Sequence, residues 1–209
     1  MSRVRVKICG ITSEADALKA VEAGADALGF MFYEGSPRNL SVDTAAGIIH
    51  ALPPFVARVG VFVNASLEII QGAATAGLDT VQLHGDETPE FCRQVALATP
   101  LKVVKALRVR DGSSLAVLPS YTTSAWLLDS YVPGQLGGTG ARFNWDLACD
   151  AVGLGRPVIL AGGLNPKNAA EAARQVRPFA LDVSSGVELS PGKKDANKVR
   201  DFIAAVRGV

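Results

Sequence analysis

Two rhythms of apolar residues alternate along the chain. Short continuous apolar runs at 4–8, 27–32, 57–63, 80–83, 103–107, 125–128, 158–160 and 179–183 read as buried strands. Between them, apolar positions three and four apart read as amphipathic helices. Ser13 ahead of Glu14, Ala15, Ala17, Leu18, Ala20 and Val21 marks a capped helix that stops at Gly24. The same pattern predicts helices over 42–52, 67–76, 89–98, 145–152, 168–176 and 196–206, and a short helical segment over 113–118. The fifth unit is the weakest, because 108–124 is rich in Ser, Thr and Arg.

Alternating strands and helices imply parallel strands joined by right-handed crossovers, and eight such units suit a closed (β/α)8 barrel. The expectation is one α/β domain over 1–209, a TIM barrel with its active site at the C-terminal face of the strands. An open doubly wound sheet is the alternative, but no Gly-x-Gly-x-x-Gly follows the first strand. No linker or low-complexity segment interrupts the pattern.

Side chains alternate along a strand, so parity sorts helix-facing from barrel-facing positions. Val4, Val6 and Ile8 suit the helix layer, leaving Arg5, Lys7 and Cys9 on the barrel side. Val81 and Leu83 likewise leave Thr80, Gln82 and His84 inside. With Lys105, Asp129 and Asp182 these make a ring of polar groups near the mouth. A core built for stability alone would use branched apolar residues there, so the ring points to a polar ligand.

Composition narrows the ligand class. Lys and Arg total 21 against 20 Asp and Glu, a net charge of +1, which lacks the basic footprint that nucleic acid or an anionic membrane requires. The N-terminus has no apolar core of a signal peptide, and no run of about 18 apolar residues occurs. A soluble cytoplasmic chain acting on a small molecule is expected, as a monomer or homodimer. Three separated cysteines argue against disulfides and for reduced thiols, and two histidines, one of them His50 within a helix, argue against a metal site.

The runs Pro157–Gly163 and Phe179–Gly186 each end a strand in small residues. Such turns leave backbone N–H groups pointing outward, and a helix starting nearby adds positive dipole. In a barrel the last two strand loops commonly hold phosphate, so Gly162, Gly163, Ser184, Ser185 and Gly186 are candidate phosphate contacts. Tight turns alone are the competing explanation. Cys9 at the first strand's end is either a small buried hydrophobe or, with Lys7 nearby to favour thiolate, a base. Cys92 and Cys149 fall in helices and read as packing. Asp129 closes a buried strand, where desolvation favours a protonated carboxyl able to act as an acid; capping the next turn is its other reading. Arg38, on the second strand's exit loop, either clamps a carboxylate or is a solvated surface arginine. His84 can take part in catalysis, orient a neighbour or bond backbone. The Gly137–Gly140 turn, with Gly138, can approach a ligand closely.

Taken together, Lys7-Ile8-Cys9-Gly10, Ser36-Pro37-Arg38, Val81-Gln82-Leu83-His84-Gly85, Leu128-Asp129, Gly137-Gly138-Thr139-Gly140, Ala161-Gly162-Gly163-Leu164 and Asp182 to Glu188 resemble the phosphoribosylanthranilate isomerase family across nearly the whole chain. The resemblance implies a cofactor-free barrel of tryptophan biosynthesis. It also implies Cys9 as general base, Asp129 as general acid and Arg38 near the anthranilate carboxylate of a phosphorylated aminosugar. His84, Gly138 and Asp182 would complete the substrate site. Asn144 departs from the aspartate common in that family, outside the implied chemistry. Two rivals remain at this point. The histidine-pathway aminoaldose isomerase resembles this barrel but uses two aspartates, and a non-catalytic phosphate binder would need neither acid nor base.

Overall fold

The computed structural model describes residues 3–130 and 145–209. Eight strands, β1 (Arg5–Cys9), β2 (Ala27–Met31), β3 (Ala57–Phe62), β4 (Thr80–Leu83), β5 (Lys102–Val109), β6 (Ala125–Ser130), β7 (Val158–Leu160) and β8 (Ala180–Val183), close in sequence order into a parallel barrel. The ring is completed by β8 pairing with β1, which sets Lys7 beside Asp182. Around it lie α1 (Glu14–Ala23), α2 (Val42–His50), α3 (Leu67–Ala74), α4 (Pro89–Ala98), α5 (Trp145–Val152), α6 (Ala169–Val176) and α7 (Ala196–Arg207). Ser13, Ser41, Ser66 and Thr88 each accept a hydrogen bond from a first-turn backbone N–H, fixing four of these starts. Among the described residues no helix is long and apolar enough to cross a membrane.

The apolar mass is unequally divided. Large side chains such as Ile8, Leu28, Phe30, Phe62, Leu83, Leu128 and Phe202 fill the layer between strands and helices. Smaller ones, among them Val104, Ala106, Leu127, Ala161 and Ala180, plug the lower barrel interior. The plug leaves the space above it, at the C-terminal strand ends, for polar groups.

Two expectations need correction. The fifth crossover is not a helix but two 3₁₀ turns, Gly112–Leu115 and Leu118–Ser120. Asp111 and Ser114 form a capping box around the first, and Pro119 opens the second, so neither extends. Lys105 does not join the inward ring. Its register partner is Leu83, a member of the outer layer, so Lys105 points outward and its ammonium reaches Glu87 at 2.7 Å. Outside the eight-unit repeat, a small antiparallel hairpin, β9 (Glu188–Ser190) and β10 (Lys193–Lys194), intervenes between β8 and α7.

Candidate active site

A cavity of about 400 Å³ opens at the C-terminal strand ends. Cys9, Arg38, His84, Asp129, Gly162, Gly163, Asp182, Ser184, Ser185 and Gly186 all line it. Gly138 and the rest of its turn lie outside the described residues, as does Asn144. Among the described residues no group of three or more His, Cys, Asp or Glu side chains is placed to hold a metal ion.

One wall is built by β1 and β8. Because these strands pair in register, Lys7 Nζ donates to Asp182 Oδ1 at 2.9 Å with both side chains buried. Two residues on, Cys9 follows on the same face and is only 6% exposed. Burial pushes its thiol above the ordinary range, Lys7 opposes this, and Asp182 adds to the rise. Lys7 thus acts in the direction the sequence suggested, but desolvation outweighs it and the thiol stays protonated. Burial acts to lower Lys7, yet Asp182 and Cys9 together hold its ammonium above the usual value.

The opposite wall comes from β6 and β4. Asp129 Oδ1 accepts the Ser130 backbone N–H at 2.7 Å, which fixes the carboxyl plane. Gly162 then makes room for it: at φ +82° a side chain is strained, and a Cβ would stand 2.8 Å from that same oxygen. Asp129 Oδ2 faces His84 Nε2 at 3.4 Å. With Gln82 donating to Nδ1 at 2.9 Å, a neutral His84 ring carries its proton on Nε2. That nitrogen is buried and has no hydrogen-bond partner among the described residues.

The two small-residue turns meet at one edge. Gly186 lies so close to Leu164 that a Cβ would collide with the Leu164 carbonyl oxygen, so the turns after β7 and β8 form one surface. Asn168 braces it by donating from Nδ2 to the Gly163 carbonyl at 3.0 Å. Neither long helix starts here. Asn165 and Pro166 delay α6 to Ala169, and after β8 only a single 3₁₀ turn, Ser185–Val187, follows. Exposed backbone, more than a helix dipole, is what this surface offers an anion.

Arg38 closes the fourth side, held by a residue that carried no role in the sequence reading. Glu188, at the start of β9, receives a fork from Arg38, Nε to Oε1 at 2.8 Å and Nη2 to Oε2 at 2.6 Å. Lys194 of β10 donates to Glu188 Oε1 at 2.7 Å. A lone glutamate ahead of Pro191-Gly192 and two lysines was the available hint of such a hairpin.

The chain matches the family model described as N-(5'phosphoribosyl)anthranilate (PRA) isomerase over residues 6–205. It is 57% identical to the N-(5'-phosphoribosyl)anthranilate isomerase of Geobacter sp. (strain M21), across 97% of this chain and 98% of that protein. A crystal structure of phosphoribosyl anthranilate isomerase with reduced 1-(o-carboxyphenylamino)-1-deoxyribulose 5-phosphate bound superposes with a TM-score of 0.89 at 45% identity, covering 99% and 100% of the two chains. Monomers of the dimeric enzyme from Thermotoga maritima superpose at 0.88 with 43% identity, again over 99% and 100%. On fold, coverage and identity alike, the chain belongs to the N-(5'-phosphoribosyl)anthranilate isomerase family.

Proposed function

We propose that Asp129 and Cys9 are the acid and base of an Amadori rearrangement that converts N-(5-phosphoribosyl)anthranilate into 1-(2-carboxyphenylamino)-1-deoxyribulose 5-phosphate, a step of tryptophan biosynthesis. The observation that carries the reading is that one cavity gathers a carboxyl group, a thiol, an arginine and a pair of small-residue turns. Asp129 gives its proton to the furanose ring oxygen, the C1–O bond breaks, and the nitrogen lone pair forms a C1–N iminium ion. Cys9, as thiolate, then removes the C2 proton, and those electrons neutralise the iminium nitrogen to leave an enolamine. Tautomerisation, with the enol proton lost and C1 protonated, gives the ketone. The substrate nitrogen is the electron sink, so the chemistry calls on no cofactor.

The order of steps accounts for a base whose thiol is held up by burial. A cation forms beside Cys9 only after ring opening; the adjacent positive charge favours thiolate, and the thiol gives up its own proton to solvent in the open cavity before it takes the one from C2. The acid step therefore prepares the base step. Arg38 meets the anthranilate carboxylate, the turns at Gly162–Gly163 and Ser184–Gly186 take the phosphate, and His84 and Asp182 shape the sugar site between them. Purified protein mixed with freshly made phosphoribosylanthranilate should quench the anthranilate-type fluorescence at a rate proportional to protein. A rate equal to the spontaneous decay sinks the proposal.

A homodimer is the assembly we infer. Phe55, in the turn before β3, is 101% exposed and held at φ +69°, which is strained for a bulky side chain. It rims a second opening of about 600 Å³ at the opposite barrel end, lined also by Phe179 and Ile159. An exposed aromatic beside a hollow whose mixed lining includes Val104, Ile159 and Phe179 suits a two-fold contact in which each copy fills the other. Sedimentation at tens of micromolar should give a dimer that Phe55→Asp dissociates; a monomeric parent protein rules this out.

A further inference from the structure

Arg38 crosses the cavity rim on Gly10, where an added Cβ would stand 2.5 Å from its Cδ. Its guanidinium carries five N–H donors in a rigid fork. The hydrogen bonds to Glu188 engage Nε and one Nη2 hydrogen. The opposite edge, Nη1 with the second Nη2 hydrogen, has no partner among the described residues, and Arg38 lines the cavity. Glu188 is itself held from behind. Lys194 Nζ donates to its Oε1 at 2.7 Å and to the Ser184 carbonyl at 3.3 Å, while the Gly192 N–H reaches Oε1 at 3.4 Å. Two cations about one carboxylate leave a single positive charge in excess. Burial acts to raise Glu188, but the Arg38 fork and Lys194 hold it below the ordinary glutamate value, so it stays ionised.

We propose that Glu188 is a positioning residue for carboxylate recognition: it grips Arg38 by one edge and so presents the other to the aryl carboxylate of the substrate, with Lys194 holding Glu188 in place. This rests on the reading in which Arg38 meets that carboxylate. Glu188 makes no hydrogen bond to Cys9 or Asp129, so its first effect is on binding and discrimination, although Arg38, packed on Gly10, and Lys194 both lie near enough to Cys9 to act on its charge.

Two reduced product analogues separate the roles, one bearing the o-carboxyphenylamino group and one a plain phenylamino group. Their dissociation constants are measured by calorimetry on the parent protein, Glu188→Gln, Glu188→Asp, Arg38→Ala and the Arg38→Ala/Glu188→Gln double variant. The parent should favour the carboxylated analogue by about tenfold or more, the scale of one charge-assisted pair. Glu188→Gln keeps the side-chain shape and should erase most of that preference, raising KM about tenfold with kcat within about threefold. Glu188→Asp, which keeps the charge but draws the fork back by one methylene, should lower the preference too. The double variant should be no worse than Arg38→Ala, since both act through one contact. If both Glu188 variants keep the parent's preference, whatever their melting temperatures, Glu188 is a stabilising partner only and the proposal fails. If the parent itself does not distinguish the analogues, the Arg38 assignment falls, and this inference with it.

Discussion

The two walls of the cavity handle polarity in opposite ways. Along β1 and β8, Lys7 and Asp182 are committed to each other at 2.9 Å. Along β4 and β6, His84 Nε2 is buried, lies 3.4 Å from Asp129 Oδ2, and makes no hydrogen bond among the described residues. Buried polar groups are nearly always satisfied, and each exception asks for a reason. On the first wall charge holds geometry; on the second a donor stands ready beside a carboxyl group. Rigidity sits with the proposed base, uncommitted hydrogen-bonding capacity with the proposed acid.

The largest effects should come from the proton-transfer groups themselves. Asp129→Asn and Cys9→Ser each keep shape and should each lower kcat by about 10²–10⁴-fold while binding of the reduced product analogue persists. Both steps lie on one path, so the double variant should lose little more than the worse single one. Near-parental kcat in either single variant removes that residue from the chemistry. Next, Lys7→Met strands the Asp182 carboxylate in the barrel and should cost about 3–5 kcal/mol by urea unfolding. Lys7→Met with Asp182→Leu should recover much of it, and no recovery would mean the pair is not what holds that wall. On the other wall, His84→Asn, which can still accept from Gln82 but no longer reaches Asp129, should leave stability within about 1 kcal/mol and reduce kcat/KM about tenfold, the loss of one donor. A stability loss as large as that of Lys7→Met would erase the contrast between the walls. The smallest effect is spectroscopic. Thiolate absorbance near 240 nm, taken as the difference between parent and Cys9→Ser, should appear only above the ordinary thiol range of about 8.5. Because Lys7 is what opposes the rise, Lys7→Met should move it higher still; a midpoint below that range contradicts the burial effect.

Much of the barrel was legible because its strands carry phase. In β1 and β4 one parity is apolar and the other polar, so Lys7 and Gln82 declare their direction, and in β8 the larger Leu181 and Val183 leave Asp182 with only the small Ala180 on its own parity. β5 does not: Val103, Val104, Ala106 and Leu107 put apolar residues on both parities. Only its register with β4 turns Lys105 outward, and register is a non-local property. The fifth crossover was weak in sequence and proved to be 3₁₀ turns for the same composition. Glu188 stayed hidden because its role depends on Arg38, 150 residues away, and its hairpin lies outside the eight-unit repeat. The cavity-lining candidates stood at strand ends, where the barrel makes position readable.

Lys7 and Asp182 are separated by 175 positions along the chain. At synthesis rates of about 5–20 residues per second, Lys7 emerges from the ribosome roughly 9–35 s before its partner is made. Until then a barrel that enclosed Lys7 would bury an uncompensated ammonium, which is unfavourable by several kcal/mol. Seven strands can therefore collapse against their helices, but the first strand has an electrostatic reason to stay at a hydrated edge until the eighth arrives. The ion pair that stiffens one wall of the finished cavity would thus also make ring closure a late event in the birth of the chain.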